Sequence, residues 1–185
     1  DWTNNSGGNA FINSSPGTTD FNGAAQSSLG TTTTNFYNLS LSGSGVKTLG
    51  VNTVTQGVLN LNDRELATGS FWMHVTNPSN TAITRTGGLN STPVQGFVSS
   101  TGVGRLRWNT NSTSSYIFPV GSSINGGRFR PVALRPSNAS ANTYAVRFVN
   151  NNPTLDGFNV ALKDANLGAI NPLWYQKINS ISGTT

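Results

Sequence analysis

Cysteine is absent from the chain, so disulfide bridges and thiolate metal ligands are excluded and the fold must be held by packing and backbone ladders. That absence also suits bacterial export to a cell surface. Charge is scarce, with 11 Lys and Arg against 6 Asp and Glu, so the net +5 reflects few acids and not a basic block. No Lys/Arg cluster tracks a phosphate backbone, and nucleic acid is not an expected partner. No apolar stretch approaches the roughly 20 residues needed to span a bilayer, and membrane insertion is not expected either. Asp1-Trp2-Thr3-Asn4 has no signal-peptide pattern, and Ser182-Gly183-Thr184-Thr185 carries no sorting or lipid-attachment motif. Both ends are expected to be cuts within a longer protein.

What is present is Asn, Thr, Ser and Gly, about half of the residues, alternating with short apolar bursts that are too brief and too β-branched for helices. This composition predicts an all-β protein with turns every few residues. Strands are expected near 36–41, 46–49, 53–55, 58–61, 71–75, 93–98, 104–108 and 116–120. A second series is expected at 130–134, 143–149, 157–162 and 174–178, with one helical turn at 162–167. From Phe36 to Val75 the gaps are two to four residues, often without the Asn-Gly or Asp-Gly of antiparallel hairpins. Taking Leu39, Leu59 and Val75 as equivalent gives a spacing of about 16 to 20 residues, the scale of short solenoid repeats. Residues 1–120 are therefore read as a parallel β-helix or solenoid-like module. After Val120 prolines accumulate, and Tyr144, Val146 and Phe148 alternate with Arg147 as in a sandwich strand. Residues 121–185 are read as an antiparallel, Ig-like β-sandwich that lacks its last strand, with the boundary near 118–126.

Residues able to carry chemistry are few. Asp63 and Glu65 share a face if extended, the arrangement paired acids for glycoside cleavage require, yet Asn60–Glu65 also reads as a polar turn. The other acids, Asp1, Asp20, Asp156 and Asp164, form no calcium-loop pattern. His74, the sole histidine, alternates onto the face of Trp72 and reads as a structural or surface residue. Arg105 and Arg107 fall on one strand face with Leu106 and Trp108 on the other. Guanidinium forks match carboxylate and sulfate, so Arg105, Arg107 and the aromatic Trp72 are the candidate ligand-binding residues. The same alternation suits arginines that are merely solvated. Arg128 and Arg130 repeat it around Phe129. Trp2, Trp108, Trp174, Tyr37 and Tyr175 are further aromatics for sugar stacking, and most are expected in the core. Asn, Thr and Ser rows are expected to satisfy backbone groups at corners.

Several strings occur in a fixed order: Phe36-Tyr37-Asn38-Leu39-Ser40-Leu41, Gly45-Val46-Lys47-Thr48-Leu49-Gly50, Val58-Leu59-Asn60-Leu61, Leu66-Ala67-Thr68-Gly69 and Val75-Thr76-Asn77. Tyr116-Ile117-Phe118-Pro119-Val120-Gly121, Phe129-Arg130-Pro131-Val132 and Trp174-Tyr175-Gln176-Lys177-Ile178-Asn179 follow. This order resembles large secreted surface proteins of Bacteroidetes, adhesin-like cargo of type IX secretion. The resemblance implies a β-helical module followed by a β-sandwich, at the cell surface or in the medium. It also implies that Arg130, within a shared motif, is structural. The chain departs from that pattern in having no type IX sorting domain and no strands beyond the Trp174 element. An open sheet edge there would invite strand addition by a neighbouring chain.

The expected function is a non-catalytic structural or adhesive module of a secreted bacterial surface protein, extracellular or cell-surface, that builds fibres by strand addition. The alternative is a polysaccharide-binding or polysaccharide-cleaving β-helix. No cofactor or metal is expected. The expected partners are neighbouring domains or subunits of the same protein and surface polysaccharide.

Overall fold

The computed structural model describes residues 1–6, 16–86 and 96–183. Strand β1 (Trp2–Asn4) is followed by four sets of three: β2 (Thr18–Phe21), β3 (Gln26–Gly30), β4 (Thr34–Phe36); β5 (Asn38–Leu41), β6 (Lys47–Leu49), β7 (Thr53–Thr55); β8 (Leu59–Asn60), β9 (Glu65–Ala67), β10 (Trp72–Val75); and β11 (Ile83–Thr84), β12 (Phe97–Ser99), β13 (Arg105–Thr110). Each set gives one strand to each of three sheets, in the orders β2-β5-β8-β11, β1-β3-β6-β9-β12 and β4-β7-β10-β13, and every pairing within them is parallel. The chain thus visits the three sheets in turn and stacks each strand on its predecessor one circuit earlier.

Beyond β13 the pairing turns antiparallel. β14 (Tyr116–Phe118) pairs with β17 (Val132–Leu134), and β15 (Gly121–Ser122) with β16 (Arg128–Phe129). β18 (Asn142–Val149) then pairs with β13, and β19 (Tyr175–Ser182) with β18, extending the third sheet to six strands. The all-β expectation holds, with parallel and antiparallel sheets in one chain.

Alternation explains which side chains enter. Phe36, Thr55, Val75 and Trp108 are stacked in register in the six-stranded sheet, all pointing inward. Leu39, Leu59 and Ile83 make the corresponding column of the four-stranded sheet. These columns belong to one apolar cluster that also takes in Phe118, Val132, Val146 and Phe148.

The corners are closed by asparagine. Asn38 Oδ1 accepts from Val58 N at 2.8 Å, Asn52 Oδ1 accepts from Trp72 N at 3.1 Å, and Asn62 Nδ2 donates to Leu41 O at 2.8 Å. Each bond links one circuit to the next, where turning backbone would otherwise leave polar groups unmatched. Gly43 occupies a corner at φ +64°, and a Cβ there would stand 2.0 Å from Asn22 O, so only glycine fits.

Lys47 takes an inward position and is fully buried. Its ammonium reaches out of the core and donates to Gly23 O at 2.6 Å, Ala24 O at 2.8 Å and Ser44 O at 2.9 Å. Three carbonyls from two successive corners are thereby tied to one side chain. Burial, with the Arg64 charge adding to it and Asp20 opposing, holds its pKa below the usual lysine value.

Several expectations need correction. Leu59 is stacked on Leu39 as expected, but its partner in the next circuit is Ile83, while Val75 lies in the six-stranded sheet against Thr55. The stretch expected as a single strand at 36–41 turns at Tyr37 and splits between two sheets. Residues 157–162 form turns and not a strand, and 162–167 form no helix. There Asn159 and Asp164 accept from backbone N–H groups two residues on, which competes with either ladder. The one helical piece among the described residues is a 3-10 turn at Pro153–Asp156, capped by Asn152. Half of the strand expected at 93–98 lies outside the described residues, and its end falls on β12.

Candidate functional site

The inward columns of β10 and β13 fix what faces outward. Because Met73, Val75, Leu106 and Trp108 are buried, Trp72 and His74 on β10 and Arg105, Arg107 and Asn109 on β13 share the opposite face. The register sets Trp72 beside Arg105 and His74 beside Arg107. The three candidate ligand-binding residues are thus neighbours on two adjacent strands.

The Arg107 guanidinium lies over the Trp72 ring, 4.8 Å from its centroid, a cation–π contact that fixes the direction of its fork. The His74 ring meets the Trp72 ring edge-on at 5.9 Å. Arg105 Nη1 donates to Asn179 Oδ1 of β19. Further along, Asn109 Nδ2 donates to Thr76 O at 3.2 Å, which turns its oxygen toward His74 Nε2 at 2.8 Å and the Thr143 hydroxyl at 2.8 Å. His74 therefore carries its proton on Nε2. Ser182 Oγ donates to Thr143 Oγ1 at 3.1 Å, completing a chain of polar groups across four strands.

Burial lowers the His74 pKa below 6.5, the Asn109 hydrogen bond opposes this, and the Arg107 charge adds to the lowering. Above about pH 6.5 the ring is neutral folded and unfolded; as pH falls below that value the unfolded chain takes the proton first, so native stability drops until the folded pKa is passed. Thermal melts between about pH 7.5 and 5 should show this loss in the native sequence, and His74→Gln should flatten that part of the profile.

Beyond Arg105 the same face carries Arg147 on β18 and Lys177 on β19. Both are served by Asp156, at 3.7 Å from Arg147 Nη1 and 2.8 Å from Lys177 Nζ. The Lys177 ammonium beside it holds the Asp156 carboxyl below its ordinary pKa, and burial with that carboxylate nearby pushes Tyr175 up to about 12.

The paired-acid candidate is organised differently. Asp63 lies in the corner turn between β8 and β9, where its carboxylate takes both Arg64 Nε and Nη2. The Arg64 hydrogen bond lowers the Asp63 pKa, the opposite of what a general acid needs. Glu65 accepts from Ser99 Oγ at 2.5 Å. Both line a surface cleft of about 480 Å³ with Gly45, Phe97 and Ser122. Among the described residues no three His, Cys, Asp or Glu side chains converge as a metal site.

Other aromatics and arginines serve packing. Trp108 is buried with its Nε1 donating to Asn77 O at 3.0 Å, while Trp2, Trp72, Trp174, Tyr37 and Tyr175 are half-buried. Arg130 lies over Trp174 at 5.6 Å and Arg85 over Phe129 at 4.3 Å. Sequence reasoning missed Asn109, Thr76, Thr143 and Ser182 as members of the Arg107 face. The alternation that singled out Arg105 and Arg107 also carries Asn109, two residues on; the partners from β18 and β19 leave no such signal.

No family model matches the chain, and comparison with curated proteins and with solved structures found no match.

Proposed function

We propose that the chain is a non-catalytic structural and adhesive module of a secreted bacterial surface protein. The observation that carries this reading is the unbroken hydrogen-bonded stack from β4 to β19, closed at its corners by asparagine. Such a stack gives length and a broad outer surface. The carboxylates that a hydrolase would use are engaged by Arg64 and Ser99. We favour a β-solenoid for 1–120 and, for 121–185, a sandwich-like antiparallel module that finishes it. The reading of this module as secreted, and as bacterial, rests on composition and on the resemblance of its motifs.

Assembly by strand addition is part of the proposal. β19 is eight residues long, terminal in its sheet, and exposes Ile178 and Ile181. The segment before it exposes Leu155, Phe158, Leu162, Leu167 and Leu173, and an apolar cavity of about 460 Å³ opens beside Trp174 and Tyr175. At the other end of the same sheet β4 is the terminal strand among the described residues. A free edge with apolar flanks is a template for another chain, and joining unlike ends generates a filament. Light scattering and negative-stain microscopy of the intact protein from its source should show fibres with a regular subunit repeat. Compact monomers at every concentration would sink strand addition, and cleavage of a polysaccharide by the purified protein would sink the non-catalytic reading.

A further inference from the structure

We infer that the outward face of β10, β13 and β18 is a binding site for an acidic polysaccharide, its carboxylate or sulfate groups taken by Arg105 and Arg107 and its hydroxyls by the polar groove beside them. This rests on the adhesive part of the proposed function and not on strand addition.

Charge is the first support. The ion pairs among the described residues use Arg64, Arg147 and Lys177, so Arg105 and Arg107 have no carboxylate partner there. With Arg147 and Lys177 sharing Asp156, the face sets four cations against one acid. Arg107 lies over the Trp72 ring, and its Nε is buried without a hydrogen-bond partner. A guanidinium already fixed in direction loses little freedom when a planar or tetrahedral oxyanion docks on it.

Shape is the second. Directly along β13 from Arg107, Thr76, Asn109, Thr143 and Ser182 line a groove of about 360 Å³. Pro78 and Asn111 line it too. Arg105, Arg107 and Asn109 are successive same-face residues, so cation and groove follow one another over about 13 Å. A chain that alternates acidic groups with hydroxyls fits that sequence of chemistries. A nucleic acid fits it less well, because a single ring and a few cations offer neither a run of stacking platforms nor a phosphate track.

The test is calorimetric titration of the native protein with alginate, dextran sulfate, neutral dextran and a single-stranded oligonucleotide, against Arg105→Gln/Arg107→Gln. Arg135→Gln serves as the control for lost charge, since Arg135 lies elsewhere and donates to Thr113 O. Alginate or dextran sulfate should bind, neutral dextran should not, and the double variant should lose at least about tenfold while the control loses less than about twofold. Preference for alginate assigns carboxylate and preference for dextran sulfate assigns sulfate; either supports the site. Binding of neither acidic polymer, equal binding of neutral dextran, tighter binding of the oligonucleotide, or an unaffected double variant would each overturn it. Light scattering of the same samples reports assembly separately, so a monomer that binds alginate refutes fibres and keeps the site.

Discussion

Trp108→Ala is expected to lower native stability by about 4 kcal/mol, read as a shifted midpoint in chemical denaturation. The indole is 1% exposed and lies edge-on to Tyr116 at 5.2 Å and Phe118 at 5.4 Å. It occupies the seam of the six-stranded sheet, with Val75 beside it on the parallel side and Tyr144 on the antiparallel side. Truncation would open a large cavity where the stacked strands meet the C-terminal ones, and both sides would lose their contact. Trp108→Phe keeps most of the volume but leaves Asn77 O without its donor, and should cost about 2 kcal/mol. A loss below about 1.5 kcal/mol for the alanine variant would mean that the two sides do not unfold as one cooperative unit.

Lys47→Ala should approach the same size, about 4 kcal/mol, by adding a cavity to the loss of the charged donor. Lys47→Met isolates the second part: the stem volume stays, Ala24 O and Ser44 O lose their ammonium donor, and about 2 kcal/mol is expected to go. The pH dependence has a definite sign. Because burial lowers the folded pKa, the unfolded chain binds more protons between that value and 10.5, so native stability rises with pH across that window. The Met variant should lack the rise. A Lys47→Met midpoint that matches the native sequence while Lys47→Ala falls would show that the side chain only fills space.

Much of the strand pattern is legible because apolar bursts mark it: β7, β10 and β18 fall within a residue of where Val, Thr, Met and Phe alternation places them. The strands that escape are polar. β2 and β3 read Thr-Thr-Asp-Phe and Gln-Ser-Ser-Leu-Gly, and they are held by their ladders to β5 and β6, a cause that no local pattern records. Lys47 gives no sign of burial either, since the carbonyls that hold it come from corners one circuit apart. The candidate site is legible as far as one strand reaches. Alternation groups Arg105 with Arg107 and Trp72 with His74, but the register that joins the pairs is set by a longer circuit whose length the sequence does not announce. Thr143 and Ser182 arrive from the antiparallel strands, so they could be found only in the folded chain.

The direction of the ladders governs how the molecule carries load. Hydrogen bonds in the parallel sheets run along the stack, so a pull between the two terminal strands of the six-stranded sheet, β4 and β19, strains them in tension, one rung at a time, and not in shear across a whole sheet. A circuit such as Leu39 to Leu59 contributes about 4.8 Å to the folded height. Peeled away, its twenty residues extend to about 70 Å. Under tension the chain would therefore lengthen in discrete steps many times its resting rise, dissipating force circuit by circuit.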